Sequence, residues 1–275
     1  MKNKILSIQS KLVYGYVGSN IAELAIQLHG LDVIAYPTVY LSAHTGHQPI
    51  HGAKIPKHLF DDLIVGIDAL DLMDTVSCIV TGYIGSEDIL LSAANYISRI
   101  KADYPEMLYI CDPVMGDFGV GLYVDDSVAK SYLNDIIPLC DILTPNHFEF
   151  EYIIGHKIES ETQVISAIVE NEILRHKIVI ITSCHLYDTA DSEIETLIIL
   201  NGSCTRIAAK RIDIETTGTG DLFSAIIASK LALGYDIDKA VREATQIIKK
   251  ALDYTVTNHH SEMNAACLLE CLTNK

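Results

Sequence analysis

The sequence predicts an α/β fold, a mostly parallel central sheet with helices on both faces. Short apolar runs of strand length alternate with longer helical patterns along most of the chain, which is the signature of a parallel sheet. With 275 residues, 49% of them hydrophobic, the chain is large enough to bury such a sheet under two helical layers. Polar and glycine residues also follow one strand after another, as they do where ligands collect beyond the carboxyl ends of parallel strands.

In chain order, strands are expected at 4–8, 32–39, 77–81, 107–112, 142–144 and 179–182. Helical patterns lie between them at 18–29, 58–70, 87–103, 126–137, 148–154 and 161–175. From 194 to 212 the chain turns to extended segments broken by Asn201-Gly202, a hairpin signal. Helices at 221–233, 236–254 and 261–272 close the chain. There is no internal repeat, low-complexity tract or long linker, so residues 1–275 read as a single domain.

Formal net charge is −16, from 36 acidic against 20 basic residues. That field repels nucleic acid and anionic membrane surfaces, and both are excluded as partners. The seven cysteines (78, 111, 140, 184, 204, 267 and 271) are scattered and never spaced as CxxC. They read as reduced core thiols of a cytoplasmic protein. No signal peptide or membrane span is expected.

The stretch Thr216-Thr217-Gly218-Thr219-Gly220-Asp221-Leu222-Phe223 is the most informative. Glycines here let backbone N–H groups approach an anion, and a helix N-terminus adds partial positive charge. A carboxylate at that position repels a phosphate, yet it suits a base that takes the proton of a hydroxyl attacking phosphate. The competing reading is an N-capped helix with Asp221 satisfying orphan donors. Asn146-x-x-Glu149 reads equally as a capping box or as a carboxylate reaching a nucleotide-bound Mg²⁺.

Asp112-Pro113-Val114-Met115-Gly116-Asp117 ends a strand with two carboxylates and runs into Phe118-Gly119-Val120-Gly121. These glycines make a segment that can close over a site. Asp112, after an apolar run, calls for a nearby cation. Gly46 and Pro49 among His44, His47 and His51 argue for a loop rather than the helical i, i+4 pairing of zinc enzymes, and these read as loop histidines. Cys267 and Cys271 read as core.

Together with Ile8-Gln9-Ser10, Gly15-Tyr16-Val17-Gly18, His44-Thr45-Gly46, Thr81-Gly82-Tyr83 and Thr144-Pro145-Asn146, these motifs resemble, over the whole length, those of the pyridoxal kinases of the ribokinase-like superfamily. The resemblance implies a ribokinase-like three-layer sandwich and ATP-dependent phosphorylation of the 5′-hydroxyl of pyridoxal. It implies that Ser10 bonds the pyridine ring and that Val17, His44, Thr45 and Tyr83 line the same pocket. Asp221 becomes the catalytic base, with Gly218, Thr219 and Gly220 forming the anion hole beside Thr217. Asp112, Thr144, Asn146, Glu149, Thr182 and Ser183 serve the nucleotide phosphates and cations, with Asp112, Asp117, Thr144, Glu149 and Thr182 as metal ligands. Mg²⁺, a monovalent cation such as K⁺, and a homodimer are implied as well. Two segments depart from the pattern: the approach from Arg206 to Thr217 is short, and Gln48-Pro49-Ile50-His51 lacks the usual aromatic residue. The alternatives are a sibling kinase of hydroxymethylpyrimidine, a sugar or a nucleoside, and a non-catalytic vitamer-binding protein.

Overall fold

The computed structural model describes residues 2–44, 46–214 and 216–273. Thr45, expected in the acceptor pocket, and Glu215, within the short approach to Thr217, lie outside the described residues. The strands are β1 (Lys4–Leu12), β2 (Asp32–Leu41), β3 (Gly52–Lys54), β4 (Val76–Thr81), β5 (Leu108–Cys111), β6 (Gly116–Asp117), β7 (Gly121–Leu122), β8 (Ile142–Leu143), β9 (Ile178–Cys184), β10 (Glu193–Leu200) and β11 (Ser203–Lys210). The helices are α1 (Ser19–Leu28), α2 (Lys57–Asp68), α3 (Glu87–Asp103), α4 (Asp126–Ser131), α5 (His147–Ile154), α6 (Glu161–Glu170), α7 (Thr219–Ala232), α8 (Ile237–Thr257) and α9 (Ala265–Thr273).

Among the described residues the main sheet has nine strands in the order β11-β10-β9-β8-β5-β4-β1-β2-β3. The run from β9 to β2 is parallel, whereas β10, β11 and β3 join antiparallel. Parallel strands covered on both faces need apolar side chains on both, which is why β1 is buried almost throughout. Its side chains alternate between two cores. Leu6 and Ile8 meet Phe60 of α2, Ile97 of α3 and Phe150 of α5; Ile5 belongs with Ile21 of α1, Ile226 of α7 and Val241 of α8. The helices thus cover both faces, as expected. No helix among the described residues is long and apolar enough to cross a membrane.

Chain order reverses at β1, which pairs with β2 on one side and β4 on the other. A crevice opens at such a switch point, outside the carboxyl ends of the strands. The β1–β2 register shifts between Gln9 and Lys11, so Ser10 falls in an irregularity rather than a regular ladder. The Asn201-Gly202 hairpin forms between β10 and β11. Two pairings went unforeseen: β3 against the end of β2, and β6 against β7. The expected helix at 126–137 is interrupted, passing from α4 into a π turn at Tyr132–Ile136.

Candidate active site

The turn before α7 sits against the loop after β1. Gly218 has φ 85° and is the N-cap of α7, which has no side-chain cap. A Cβ on Gly218 would stand 2.2 Å from the Tyr16 carbonyl oxygen. The first N–H groups of α7 are therefore left without a side-chain acceptor, as an anion site requires. Asp221 is not the cap. It is buried, and its Oδ2 accepts the Gly18 N–H at 2.8 Å, across 203 residues of sequence. Gly18 is equally constrained, since a Cβ there would lie 2.2 Å from Ser10 Oγ. Two glycine turns interlock, and Asp221 is fixed between them.

Three carboxylates, those of Asp112, Glu149 and Asp221, converge. Asp112, at the end of β5, accepts Ser224 Oγ at 3.1 Å, and Ser224 Oγ stands 3.1 Å from Thr144 Oγ1. A Cβ on Gly220 would touch Asp112 Oδ2 at 3.4 Å. Burial, followed by the charges of Glu149 and Asp221, holds the Asp112 carboxyl well above its ordinary range. Burial also raises Asp221, opposed by the Gly18 N–H. Glu149 is pushed up to about 7 by burial, against the N–H groups of Asn146, Met115 and Gly116.

The capping-box reading of Asn146-x-x-Glu149 holds. Asn146 Oδ1 accepts Glu149 N–H at 2.8 Å, and Glu149 Oε2 accepts Asn146 N–H at 2.9 Å. This reciprocal box starts α5. Glu149 Oε1 takes the Met115 N–H at 2.7 Å, and Asn146 Nδ2 donates to the Gly116 carbonyl at 2.8 Å. The capping box thereby ties α5 to the glycine-rich segment that carries β6 and β7. Thr182 joins through an isolated bridge to Asn146, and Ser183 is held at φ 51°.

Ser10 is buried at the end of β1, beneath Gly18. Gly82 packs on the Gln9 side chain, and its N–H donates to the Ile8 carbonyl at 3.1 Å. Tyr83 follows, its carbonyl accepting Thr38 Oγ1 at 2.7 Å. Val17 and His44 are half-buried in the neighbouring loops. Burial and the nearby His47 lower the proton affinity of His44. Ser10 and Val17 thus flank the Gly18 turn, His44 lies beside Gly15, where an added Cβ would stand 3.9 Å from its Cδ2, and Tyr83 follows the end of β4, the neighbour of β1. His51 is exposed, its N–H turned to Ser42 Oγ at 3.0 Å.

Against the turn lies a cavity of about 680 Å³, lined by Asp117, Phe118, Thr182, Ser183, Thr219 and Gly220 together with residues of β10, β11 and α8. Its size suits a nucleotide. Asp117 is exposed, with Oδ1 accepting the Phe118 N–H at 2.7 Å, and stands at the rim rather than among the buried carboxylates. Thr217 is exposed on the turn. The Phe118 ring packs edge-on to His147 and Phe148, anchoring the tip of the glycine-rich segment.

Sequence reasoning missed Ser224 and Tyr123. Ser224 follows Asp221 by three positions and so shares its helix face, a spacing that could have revealed it. The Tyr123 hydroxyl is held protonated by burial and by Glu149, Asp112, Asp117 and Asp221, and no motif marks it.

The arrangement can bind an oxygen-rich anion at an uncapped helix N-terminus, with a buried carboxylate beside it to take a proton. Comparisons with known proteins agree. Residues 61–265 match the family model described as phosphomethylpyrimidine kinase. The pyridoxine/pyridoxal/pyridoxamine kinase of Bordetella avium is 32% identical, covering 91% of this chain and 85% of that protein. The pyridoxal kinase of Arabidopsis thaliana is 33% identical over 93% and 83%. Among solved structures, pyridoxal kinase from Leishmania donovani in complex with ADP and pyridoxine superposes with a TM-score of 0.88 at 28% identity, covering 100% of this chain and 96% of that one. Interlocked glycine turns, buried carboxylates and near full-length likeness lead to one assignment: the chain belongs to the pyridoxal kinase family of ribokinase-like enzymes.

Proposed function

We propose that this protein transfers the γ-phosphoryl group of ATP to the 5′-hydroxyl of pyridoxal, and also of pyridoxine and pyridoxamine, in salvage of vitamin B6. The observation that carries this reading is Asp221: buried, bonded to the Gly18 N–H, and standing at the uncapped start of α7. The Leishmania donovani relatives are described with ADP and with pyridoxine or pyridoxamine, and the Bordetella avium relative is named for all three vitamers.

In this reading Ser10, Val17, His44, Thr45 and Tyr83 hold the vitamer, and its hydroxyl gives its proton to Asp221 as it attacks. A raised proton affinity makes Asp221 a better acceptor once ionised. The N–H groups of Gly218, Thr219 and Gly220 meet the charge that grows on the transferred oxygens, and oriented donors of this kind contribute roughly 3–4 kcal/mol each. Thr144, Asn146, Thr182, Ser183 and Thr217 position the polyphosphate. The buried, like-charged Asp112 and Glu149 fit a hard divalent cation, because they are oxygen donors with no cationic side chain paired to them among the described residues. They would hold Mg²⁺ together with Thr144, Thr182 and the rim carboxylate Asp117. When bound, Mg²⁺ would neutralise charge on the phosphates. K⁺ beside it, a single catalytic domain spanning 1–275 and a homodimer belong to the same proposal.

The test is a steady-state assay with ATP, Mg²⁺ and a panel of vitamers, with and without K⁺. The family model is described as phosphomethylpyrimidine kinase, so hydroxymethylpyrimidine, the sibling acceptor, belongs in the panel. Preferential turnover of hydroxymethylpyrimidine would replace the vitamer reading, and vitamer binding without ADP release would replace the kinase reading.

A further inference from the structure

The loop after β2 and the segment between α8 and α9 bring two imidazoles and a carboxylate together, apart from the carboxylates of the phosphate site. His44, His47 and Glu262 each offer one ligand atom, and these atoms all lie within 4.8 Å of one another. His44 Nε2 is 3.9 Å from Glu262 Oε2, and the two imidazole rings are 4.3 Å apart, tilted by 59°. Glu262 Oε2 is buried and has no hydrogen-bond partner among the described residues. A carboxylate oxygen left this way is costly. Gly15 borders the cluster: a Cβ built there would be at ordinary contact distance, 3.5 Å from Glu262 Oε2 and 3.9 Å from His44 Cδ2.

We infer that His44, His47 and Glu262 form a binding site for a divalent transition metal of the zinc class, at the mouth of the acceptor pocket. Two imidazoles and one carboxylate are a zinc donor set that leaves a fourth position open, with each donor about 2.0–2.2 Å from the ion. The observed triangle, within 4.8 Å, contracts to that size when an ion binds. Imidazole donors select against Mg²⁺, which prefers the all-oxygen site. His44 Nδ1 accepts the Gly46 N–H at 3.1 Å, so the neutral ring carries its proton on Nε2, facing Glu262. An ion at Nε2 moves that proton to Nδ1 and turns the exposed Gly46 N–H to water. Because the proposed function places His44 against the vitamer, and only on that reading, a bound ion competes with the acceptor.

The experiment titrates the nucleotide-free, full-length protein with Co²⁺, followed by its ligand-field absorption, and then displaces it with Zn²⁺ in a calorimeter. One equivalent of Zn²⁺ is expected, with the intense visible bands of tetrahedral Co²⁺. His47→Ala and Glu262→Gln should each weaken binding by about tenfold or more, at least the scale of losing an outer-shell partner. His47 is exposed, so its variant does not test folding. Absence of stoichiometric binding, or equal affinity in both variants, overturns the site. In kinetics, Zn²⁺ should raise KM for pyridoxal in the wild type and not in His47→Ala; an unchanged wild-type KM overturns the competition. The titration reads the site even if no vitamer turns over, so failure of the site and failure of the kinase reading are distinguishable.

Discussion

Replacing Gly218 by alanine tests whether the interlocked turns set the geometry of phosphate transfer. At φ 85° a side chain is strained, which costs roughly 1–2 kcal/mol. The added Cβ would also stand 2.2 Å from the Tyr16 carbonyl oxygen, about 1.2 Å inside the 3.4 Å at which ordinary contact begins. Backbone cannot yield as a flexible side chain does, so the turn and the Gly15–Gly18 loop must separate, adding about 1–3 kcal/mol. The Gly18 N–H that holds Asp221 lies in that loop. A displacement near 1 Å at reacting groups lowers turnover about 100-fold. Gly30→Ala is the matched control: φ is 80° but nothing lies within 4 Å of the added Cβ. It should lose about 1–2 kcal/mol and keep its turnover. Urea unfolding and steady-state kinetics on both variants decide the matter. Gly218→Ala with kcat and stability equal to the control would refute the reasoning.

Glu149 gives a pH dependence. Its folded value, about 7 against an ordinary 4.5, means the folded protein holds a proton that the unfolded chain has lost. That contribution is fully present below about pH 4.5 and is lost as pH rises through 7, amounting to about 3 kcal/mol. Urea melts of the metal-free protein at pH 5 and pH 8, with Glu149→Gln as reference, should show a steeper loss in the wild type than in the variant, whose remaining slope comes from the raised Asp112 and Asp221 carboxyls; parallel slopes contradict it. Ser224→Ala removes the hydroxyl bonded to Asp112 Oδ2 and should cost about 1–3 kcal/mol and raise the Mg²⁺ concentration needed for half-maximal rate. An unchanged Mg²⁺ dependence would show that Ser224 does not position Asp112.

The parallel strands were legible because strands covered on both faces must be continuously apolar, as Ile5, Leu6 and Ile8 are. Strand β3 was not, because all three of its residues are exposed and only pairing with β2 defines it. The shift at Ser10 is likewise a property of the β1–β2 register. Within the site, the Asn146–Glu149 box was readable as local chemistry, whereas the Gly18–Asp221 bond joins residues too distant for any local pattern. The sequence left Asp221 balanced between cap and base. The structure removes the cap reading, because α7 has no side-chain cap and the carboxylate bonds a different turn.

The central claim is that Asp221 takes the proton of the attacking hydroxyl. Its most direct test is the rate of ATP-dependent phosphorylation of pyridoxal by Asp221→Asn, with vitamer binding measured alongside. The account predicts a kcat lower by about 10²–10⁴ with vitamer affinity largely kept. Near-normal kcat in a folded, vitamer-binding variant would contradict it.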